Sequence, residues 1–286
     1  MNVFKKIACG AAVALSMMGS ASAASVMNNW VFNPTGSGFA TGQTINEYLD
    51  ITGNAFINLT PGPNGTFTFQ ENAVFRSPYA DNGPSFAGTF GRYITATFSA
   101  SGSGTFSGAF QFNSGTINIY SNIVDSFGGS AGYYGADQGT LIATFDVEQG
   151  GGGRVDANGD PTGNGEITVL AKAKAPAGLA PGYWYRGNGD DLSSEDILSF
   201  AFTNANTIGQ PTAQLVREVA CQFANFGGPG CPTGTGYSNV PGDYFFVSNN
   251  GQFKLADVPE PGSLALFGIA LLGVGFANRK RAAKQA

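Results

Sequence analysis

Hydrophobic and polar residues alternate along much of this 286-residue chain. The alternation occurs in short segments that end at Gly, Asn, Asp or Pro, as β-strands do. Strands with one apolar and one half-polar face are typical of antiparallel sheets. The pattern predicts an all-β fold, an antiparallel β-sandwich of the jelly-roll type, with strands in GTFTFQENAVF, GRYITATFSA, SGTFSGAFQFN, GTINIYSNI, GTLIATFDVE and GEITVLAKAK.

Three segments depart from simple alternation. In PTAQLVREVACQF the apolar residues recur at helical spacing after Pro211 and Thr212, which favours one short helix over a strand. DYFFVSNNGQFKL is typical of a terminal hairpin with Asn250-Gly251 as its turn. EQGGGGRVDANGDPTGNG is rich in turn-forming residues and predicts a long hairpin loop.

Residues 1–23 have the composition of a secretory signal peptide. Lys5 and Lys6 precede a short apolar stretch, and Ala21-Ser22-Ala23 fits a small-residue cleavage site. The stretch is too short and too rich in small residues for a stable membrane span, which needs ~20 apolar residues. We expect cleavage between Ala23 and Ala24, followed by export of one domain, residues 24–257.

The segment 258–286 has three parts in order: Val258-Pro259-Glu260-Pro261, an uncharged apolar run over 262–277, and a basic end. As a helix the apolar run spans about 24 Å, which is less than the ~30 Å hydrocarbon core of a bilayer. The cations of Arg279-Lys280-Arg281 favour retention of this end in the cytoplasm. We therefore predict an apolar C-terminal helix that crosses the inner membrane transiently during export.

This order of motif, apolar helix and basic end is similar to the PEP-CTERM sorting signal that exosortases recognise. The resemblance implies that an exosortase-type membrane enzyme processes the chain near Val258-Pro259-Glu260-Pro261. It also implies delivery of the body to the cell surface or to the extracellular polysaccharide matrix. An ordinary C-terminal tail anchor is the alternative.

The body also resembles the flocculation-associated PEP-CTERM proteins. The resemblance lies in turn-rich β segments, namely WVFNPTGSG, YLDITGNAFI, GTINIYSN, YGADQGTLIATFDVE and NGDPTGNGEITVLAKA. That family is implicated in binding cells into exopolysaccharide flocs, so the resemblance implies exopolysaccharide as a partner. It supplies no catalytic or ligand residues that transfer to this sequence.

Composition narrows the classes of function. The chain has 19 acidic and 14 basic residues, and its net charge of −5 opposes binding to nucleic acid. It contains no histidine, which excludes Ser-His-Asp triads and His-ligated metal sites. Among enzymes, this leaves chiefly those that use two carboxylates.

Two cysteines lie in the exported body, Cys221 and Cys231. An even pair at short separation in an oxidising compartment is typical of a disulfide. Two free thiols or a metal pair are the alternatives, and the absence of histidine weighs against the metal pair. We predict the disulfide, with no metal site, no cofactor and no catalytic residue.

One loop carries a candidate calcium motif. In VDANGDPTGNGE, the oxygens of Asp156, Asn158 and Asp160 have the alternate spacing of calcium-loop ligands. Pro161 and Ile167 occupy the places where an EF-hand needs Gly and Glu. Because the same residue types form ordinary turns, both interpretations stay open.

A second segment, GYWYRGNGDDLSSED, combines aromatic residues with carboxylates. They are Tyr183, Trp184 and Tyr185, followed by Asp190, Asp191, Glu195 and Asp196. Such a combination is able to bind sugar rings or to form a two-carboxylate hydrolase site. We favour a third interpretation, a strand with packed aromatic residues before a helix that Ser193 or Ser194 caps.

The sequence as a whole predicts an exported, non-enzymatic surface or matrix protein. We expect it to promote cell aggregation, as in flocs or biofilms, through association with exopolysaccharide. Two alternatives remain: an extracellular carbohydrate-active enzyme that uses two carboxylates, and a structural matrix protein that assembles with itself through Gly-rich sheet edges.

Replacement of Pro259-Glu260-Pro261 by three alanines tests the sorting motif. The two prolines keep the segment extended, which is the form that a processing enzyme binds. We expect a longer, membrane-retained product and the loss of cell aggregation, as measured by immunoblotting of membrane and extracellular fractions. Extracellular wild-type protein that still carries residues 264–286 would contradict this prediction.

Overall fold

The computed structural model describes residues 25–163 and 165–258. The predicted cleavage site at Ala23 and Ala24, the motif residues Pro259-Glu260-Pro261, the apolar helix over 262–277 and the basic end Arg279-Lys280-Arg281 lie outside the described residues. Val258 is the last residue described. In this part of the chain, no helix is both long and apolar enough to cross a membrane.

Twelve strands form in the described residues. In chain order they are β1 Trp30–Phe32, β2 Gln43–Ile45, β3 Tyr48–Pro61, β4 Thr66–Ser77, β5 Tyr93–Thr105, β6 Ala109–Asn122, β7 Thr140–Val147, β8 Gly150–Arg154, β9 Glu166–Ala173, β10 Trp184–Tyr185, β11 Ile197–Thr207 and β12 Tyr244–Asp257. The alternation of hydrophobic and polar residues therefore predicts the all-β class correctly.

The strands close into an antiparallel barrel. Eight of them follow one another in the order β11-β12-β3-β4-β5-β6-β7-β9, and β9 pairs back with β11. This closing ladder runs from Ala173 opposite Ile197 to Glu166 opposite Asn204. The short strand β8 bridges β6 and β9 beside the barrel wall.

The predicted jelly-roll sandwich is therefore wrong, and the architecture is a barrel. Strands of a sandwich and strands of a barrel both alternate between a buried and an outer face, so their sequence patterns are the same. The difference lies only in whether the first and last strands of the sheet pair with each other. Here they do, and the eight barrel strands have no free edge.

The main hydrophobic core fills the barrel interior. Inward side chains come from every second residue of each strand, as with Phe67 and Phe69 of β4, which are 3% and 5% exposed. A smaller sheet, in the order β10-β1-β2, packs against the barrel near the start of β7. There Trp184 stacks on Trp30, and its Nε1 donates a hydrogen bond of 2.9 Å to the carbonyl oxygen of Ile142.

Helices contribute a second layer outside the barrel. The helices are α1 Phe86–Phe90, α2 Ala213–Leu215 with a π-helical continuation over Val216–Phe223, and 3₁₀ turns at Phe39–Thr41, Pro63–Gly65 and Leu192–Ser194. The helix predicted after Pro211 is thus present, and the Thr212 hydroxyl caps it by accepting from the Leu215 amide. Its buried side chains cover an outer apolar cluster that includes Phe56, Val74 and Phe246.

A disulfide joins Cys221 to Cys231, with the two Cα atoms 5.5 Å apart, as the sequence predicts. Cys221 lies in the π-helical segment, and Cys231 lies in the loop that follows it. The bond therefore holds the end of the covering helix to its own downstream loop. Closing a loop of this size is expected to contribute about 2–3 kcal/mol.

The predicted hairpin at Asn250-Gly251 is wrong, because β12 passes straight through both residues. Asn250 pairs with Thr52 of β3 on one side and with Asn204 of β11 on the other. Two continuous ladders outweigh the local turn preference of Asn-Gly. Glycine is needed here for close approach, since a Cβ at Gly251 would overlap the carbonyl oxygen of Phe202.

The predicted long loop in EQGGGGRVDANGDPTGNG is only partly a loop. Its glycine run forms β8, in which Gly152 pairs with Thr168 of β9 and Arg154 pairs with Ala109 of β6. The absence of side chains lets this run lie close to both neighbours. The turn itself begins after β8, at Val155.

Replacement of Gly251 by alanine tests the continuous strand. We expect a loss of about 1–3 kcal/mol in the free energy of unfolding, because the added methyl group displaces the β11 backbone. The neighbouring Asn250→Ala is the control, since Asn250 is exposed. Urea denaturation measures both, and equal stability of the two variants would contradict the packing described for β12.

Candidate functional site

A groove of about 410 Å³ crosses the outer face of β11, β12 and β3. It lies where the barrel closes, since Glu166 of β9 and Asn204 of β11 both line it. Its lining is mostly polar, and its main contributors are Tyr48, Asp50, Asn82, Phe202, Asn204 and Gln252. The groove therefore combines aromatic rings with carboxylate and amide groups.

The exposed ring of the groove belongs to Phe202, which is 39% exposed. Phe200 lies beside it on the same outer face, with the two rings nearly parallel and their centroids 6.5 Å apart. The ammonium group of Lys254 lies 5.6 Å from the centre of the Phe202 ring and 5.7 Å from that of Tyr48. Lys254 is itself ion-paired with Glu47. The Phe202 ring is thus held in place while it stays open to solvent.

The polar side of the groove is built by Asn82. Its side-chain amide donates to the Tyr48 hydroxyl at 2.8 Å, and its backbone amide donates to Asp50 Oδ2 at 3.0 Å. Burial raises the pKa of the Asp50 carboxyl, and the charge of Asp81 raises it further, while the hydrogen bond from Asn82 acts in the opposite direction. The Asp50 carboxyl is therefore less acidic than an exposed aspartate.

The loop that carries Asn82 is fixed by its neighbour Asp81. The Asp81 carboxylate accepts hydrogen bonds from three successive backbone amides, those of Asn46, Glu47 and Tyr48, at 2.5, 3.0 and 3.1 Å. Asp81 and Asn82 both have positive φ, at 49° and 54°, a conformation that Asp and Asn tolerate better than most residues. The hydrogen bonds of Asp81 and the positive φ of Asp81 and Asn82 therefore hold the loop that forms this side of the groove.

The aromatic segment GYWYRGNGDDLSSED does not form a sugar platform. Trp184 is fully buried and Tyr185 is 7% exposed. Both residues form β10, which pairs with β1 in the small sheet. This confirms the interpretation of a strand with packed aromatic residues.

The carboxylates of that segment have structural partners. Asp191, rather than Ser193 or Ser194, caps the short Leu192–Ser194 turn by accepting from the Ser193 amide at 2.9 Å. Glu195 is paired with Arg186 at 2.5 Å, and Asp196 with Lys172 at 2.6 Å. The segment therefore contributes ion pairs and a cap, not a pair of free carboxylates.

The candidate calcium loop is organised by Asp156. Its Oδ1 accepts hydrogen bonds from the backbone amides of Asn158 and Asp160, at 2.8 and 3.0 Å. Asp160 Oδ1 accepts from the hydroxyl of Thr207 at 2.8 Å. Over residues 25–163 and 165–258, no group of three or more acidic or cysteine side chains is placed to hold a metal ion. The geometry here is that of an Asx-type turn.

A carboxylate lies inside the barrel, at Glu71 of β4. Its side chain is 6% exposed and lines two interior cavities of about 60 and 30 Å³. Burial raises the pKa of the Glu71 carboxyl to about 8. A second polar group, Asn249 of β12, lines the larger cavity, and its Oδ1 has no hydrogen-bond partner within the described residues.

Neither Glu71 nor the groove was predicted from the sequence, although a signal existed for Glu71. In TFTFQENAVF, Glu71 follows Phe67 and Phe69 at the same alternation, which places it on the inward face. A charged residue in phase with core aromatics indicates a buried carboxylate. The groove left no comparable signal, because its residues come from separate strands and a loop.

Replacement of Glu71 by glutamine tests the buried carboxylate. Its pKa is about 8 in the folded chain and about 4.5 unfolded, so the ionised form favours unfolding. The wild-type chain should therefore lose on the order of 5 kcal/mol relative to Glu71→Gln as pH rises from 4.5 to 8, at about 1.4 kcal/mol per unit. The loss should be complete above pH 8.

Denaturation curves at several pH values measure this difference. Glu148→Gln, at a half-buried position just after β7, controls for the loss of one charge. If wild type and Glu71→Gln keep the same difference in stability at all pH values, Glu71 is ionised in the folded chain, and the burial described here has no effect on its titration.

Comparison with known families gives one result. Residues 257–281 match the family model of the PEP-CTERM protein-sorting motif. Comparison with curated proteins and with solved structures gives no significant match. The resemblance of the body to flocculation-associated proteins therefore stays a prediction. The match covers the predicted motif Val258-Pro259-Glu260-Pro261, the apolar run and Arg279-Lys280-Arg281, so the chain carries a PEP-CTERM protein-sorting motif, which indicates an exported protein that an exosortase-type enzyme processes.

Proposed function

We propose that the body of this exported protein binds extracellular polysaccharide through the outer groove, and that it thereby holds cells together without catalysing a reaction. The PEP-CTERM motif supports a location outside the cell, because it marks an exported protein that is processed by an exosortase-type enzyme and associated with the cell surface. Transient anchoring by the C-terminal helix, with transfer to the surface or matrix, is part of the same proposal.

The groove is the observation that carries the proposal. A sugar ring has apolar C–H faces, which suit the exposed Phe202 ring, and hydroxyl groups at its edge. Amide and carboxylate groups such as those of Asn204, Gln252 and Asp50 are able to donate to and accept from these hydroxyl groups. A chain of sugars fits an open surface groove, since the polymer continues beyond each ring that is bound.

Binding is favoured over hydrolysis because the Asp50 carboxyl already accepts a hydrogen bond from the Asn82 backbone amide, whereas a hydrolase needs two carboxyl groups that face the scissile bond. The second candidate function is nevertheless such an enzyme, because Asp50 and Glu166 line the same groove and burial raises the pKa of Asp50. Self-assembly through sheet edges is disfavoured, since the barrel strands pair on both sides.

Replacement of Phe202 by alanine tests the proposed polysaccharide site. The variant should bind exopolysaccharide extracted from the producing cells about fivefold more weakly in a sedimentation assay, because an aromatic contact contributes about 1 kcal/mol. Phe39→Ala is a matched control, since Phe39 is 38% exposed but lies in a 3₁₀ turn beside Tyr185, away from the groove. Its binding should equal that of the wild type.

Two outcomes would count against the proposal. Equal weakening by both variants would mean that no specific ring is recognised. If the wild-type protein releases sugar and Asp50→Asn does not, the function of the groove is hydrolysis and not binding. In cells, Phe202→Ala should disperse aggregates while exopolysaccharide is still synthesised.

A further inference from the structure

The barrel interior contains a cavity of about 60 Å³ with mostly apolar walls. Its walls come from strands on all sides of the barrel and include Leu49, Phe98, Phe112, Ile119, Val169 and Phe253. One water molecule needs about 10–15 Å³ of such a volume. The cavity therefore has room for several waters or for one small organic molecule of a few heavy atoms.

Six polar residues line the cavity. Arg76 is exposed beside the Phe127 ring, Thr203 is half-buried, and Ser77 and Thr95 donate to backbone carbonyl oxygens. The other two, Glu71 and Asn249, are buried among the apolar walls. They are 6% and 4% exposed, so neither is hydrated by bulk solvent. The Asn249 Oδ1 atom has no hydrogen-bond partner within the described residues, and burial raises the pKa of the Glu71 carboxyl. A buried polar group without a partner costs about 1–3 kcal/mol, and a buried charge costs more.

The chemistry of these two groups defines what would satisfy them. Glu71 is protonated below its raised pKa, but once ionised it is only a hydrogen-bond acceptor, like the amide oxygen of Asn249, and the partner of both must then be a donor. A partner with one positive charge also neutralises the carboxylate and removes most of its desolvation cost. An ammonium group has one charge and three donors, and an attached alkyl chain matches the apolar walls.

We propose that the barrel interior is a binding site for a small aliphatic amine. Its ammonium group pairs with Glu71 and donates to Asn249, and its alkyl chain lies among the apolar side chains of the cavity. This site is distinct from the outer groove, because it lies on the opposite face of β3, β11 and β12.

A surface pocket adjoins the cavity and suggests where a ligand enters. This pocket has a volume of about 120 Å³ and shares Arg76, Ser77, Ile94 and Thr95 with the cavity. These four residues lie at the end of β4 and the start of β5, where Ser77 and Ile94 form the last pair of the ladder. A single layer of residues therefore separates the cavity from the surface at the end of this strand pair.

Titration calorimetry of the purified full chain with 1-butylamine and 1-butanol tests the site. The two probes have the same alkyl chain and differ in the charged group. We expect the amine to bind at least tenfold more tightly, and a series from ethylamine to hexylamine to lose affinity once the chain exceeds the cavity. In Glu71→Gln the preference for the amine should disappear, while Glu148→Gln should retain it.

Equal affinity for the amine and the alcohol would overturn the proposal, because it would mean only that an apolar cavity is filled. Binding of neither probe would also overturn it, and would indicate a cavity that holds water. If Glu71→Gln does not fold, the carboxyl ¹³C signal of Glu71 in the wild type decides, since it should shift with the amine and not with the alcohol. Phe202→Ala should bind the amine normally, so this test is independent of the polysaccharide site.

Discussion

The pairing of β9 with β11 is the interaction on which the rest of the structure depends. Between Glu166–Ala173 and Ile197–Thr207 it joins the two ends of the sheet, so that each barrel strand has a partner on both sides. Closure buries one set of side chains completely and presents the other set on a continuous outer surface. The interior cavity and the outer groove both follow from it, because each is lined by residues from β9 and from β11.

The outer surface of the barrel is used in two different ways. On one side the covering helix, held by the Cys221–Cys231 disulfide, buries outward aromatic residues such as Phe56 and Phe246. On the β11 side, Phe202 points outward without such a layer and stays 39% exposed. Outward aromatic residues are thus part of a second core where a helix covers them, and part of the open groove where none does. The difference is made by the layer above the strand, not by the strand itself.

The barrel interior combines apolar residues that stabilise the fold with one carboxyl group that does not. Nearly all inward positions hold apolar residues that pack in the core, but Glu71 occupies one of them and keeps a raised pKa through burial. Above neutral pH, the folded chain would be more stable with an apolar residue of similar size at this position. Residues that lower stability in this way are concentrated at functional sites. Glu71 and the unpartnered oxygen of Asn249 therefore give the interior two polar groups that a purely hydrophobic core does not have.

The sequence by itself determined the local features: the strands, the helix after Pro211, the disulfide and the sorting motif. Each has a signal within a few neighbouring residues, such as period-two alternation or a fixed order of motif and apolar run. Only the tertiary structure decided barrel over sandwich, the straight path of β12 through Gly251, and the assembly of the groove. These depend on which distant strands become neighbours. Such pairing leaves no local pattern, because the same alternation satisfies an open or a closed sheet.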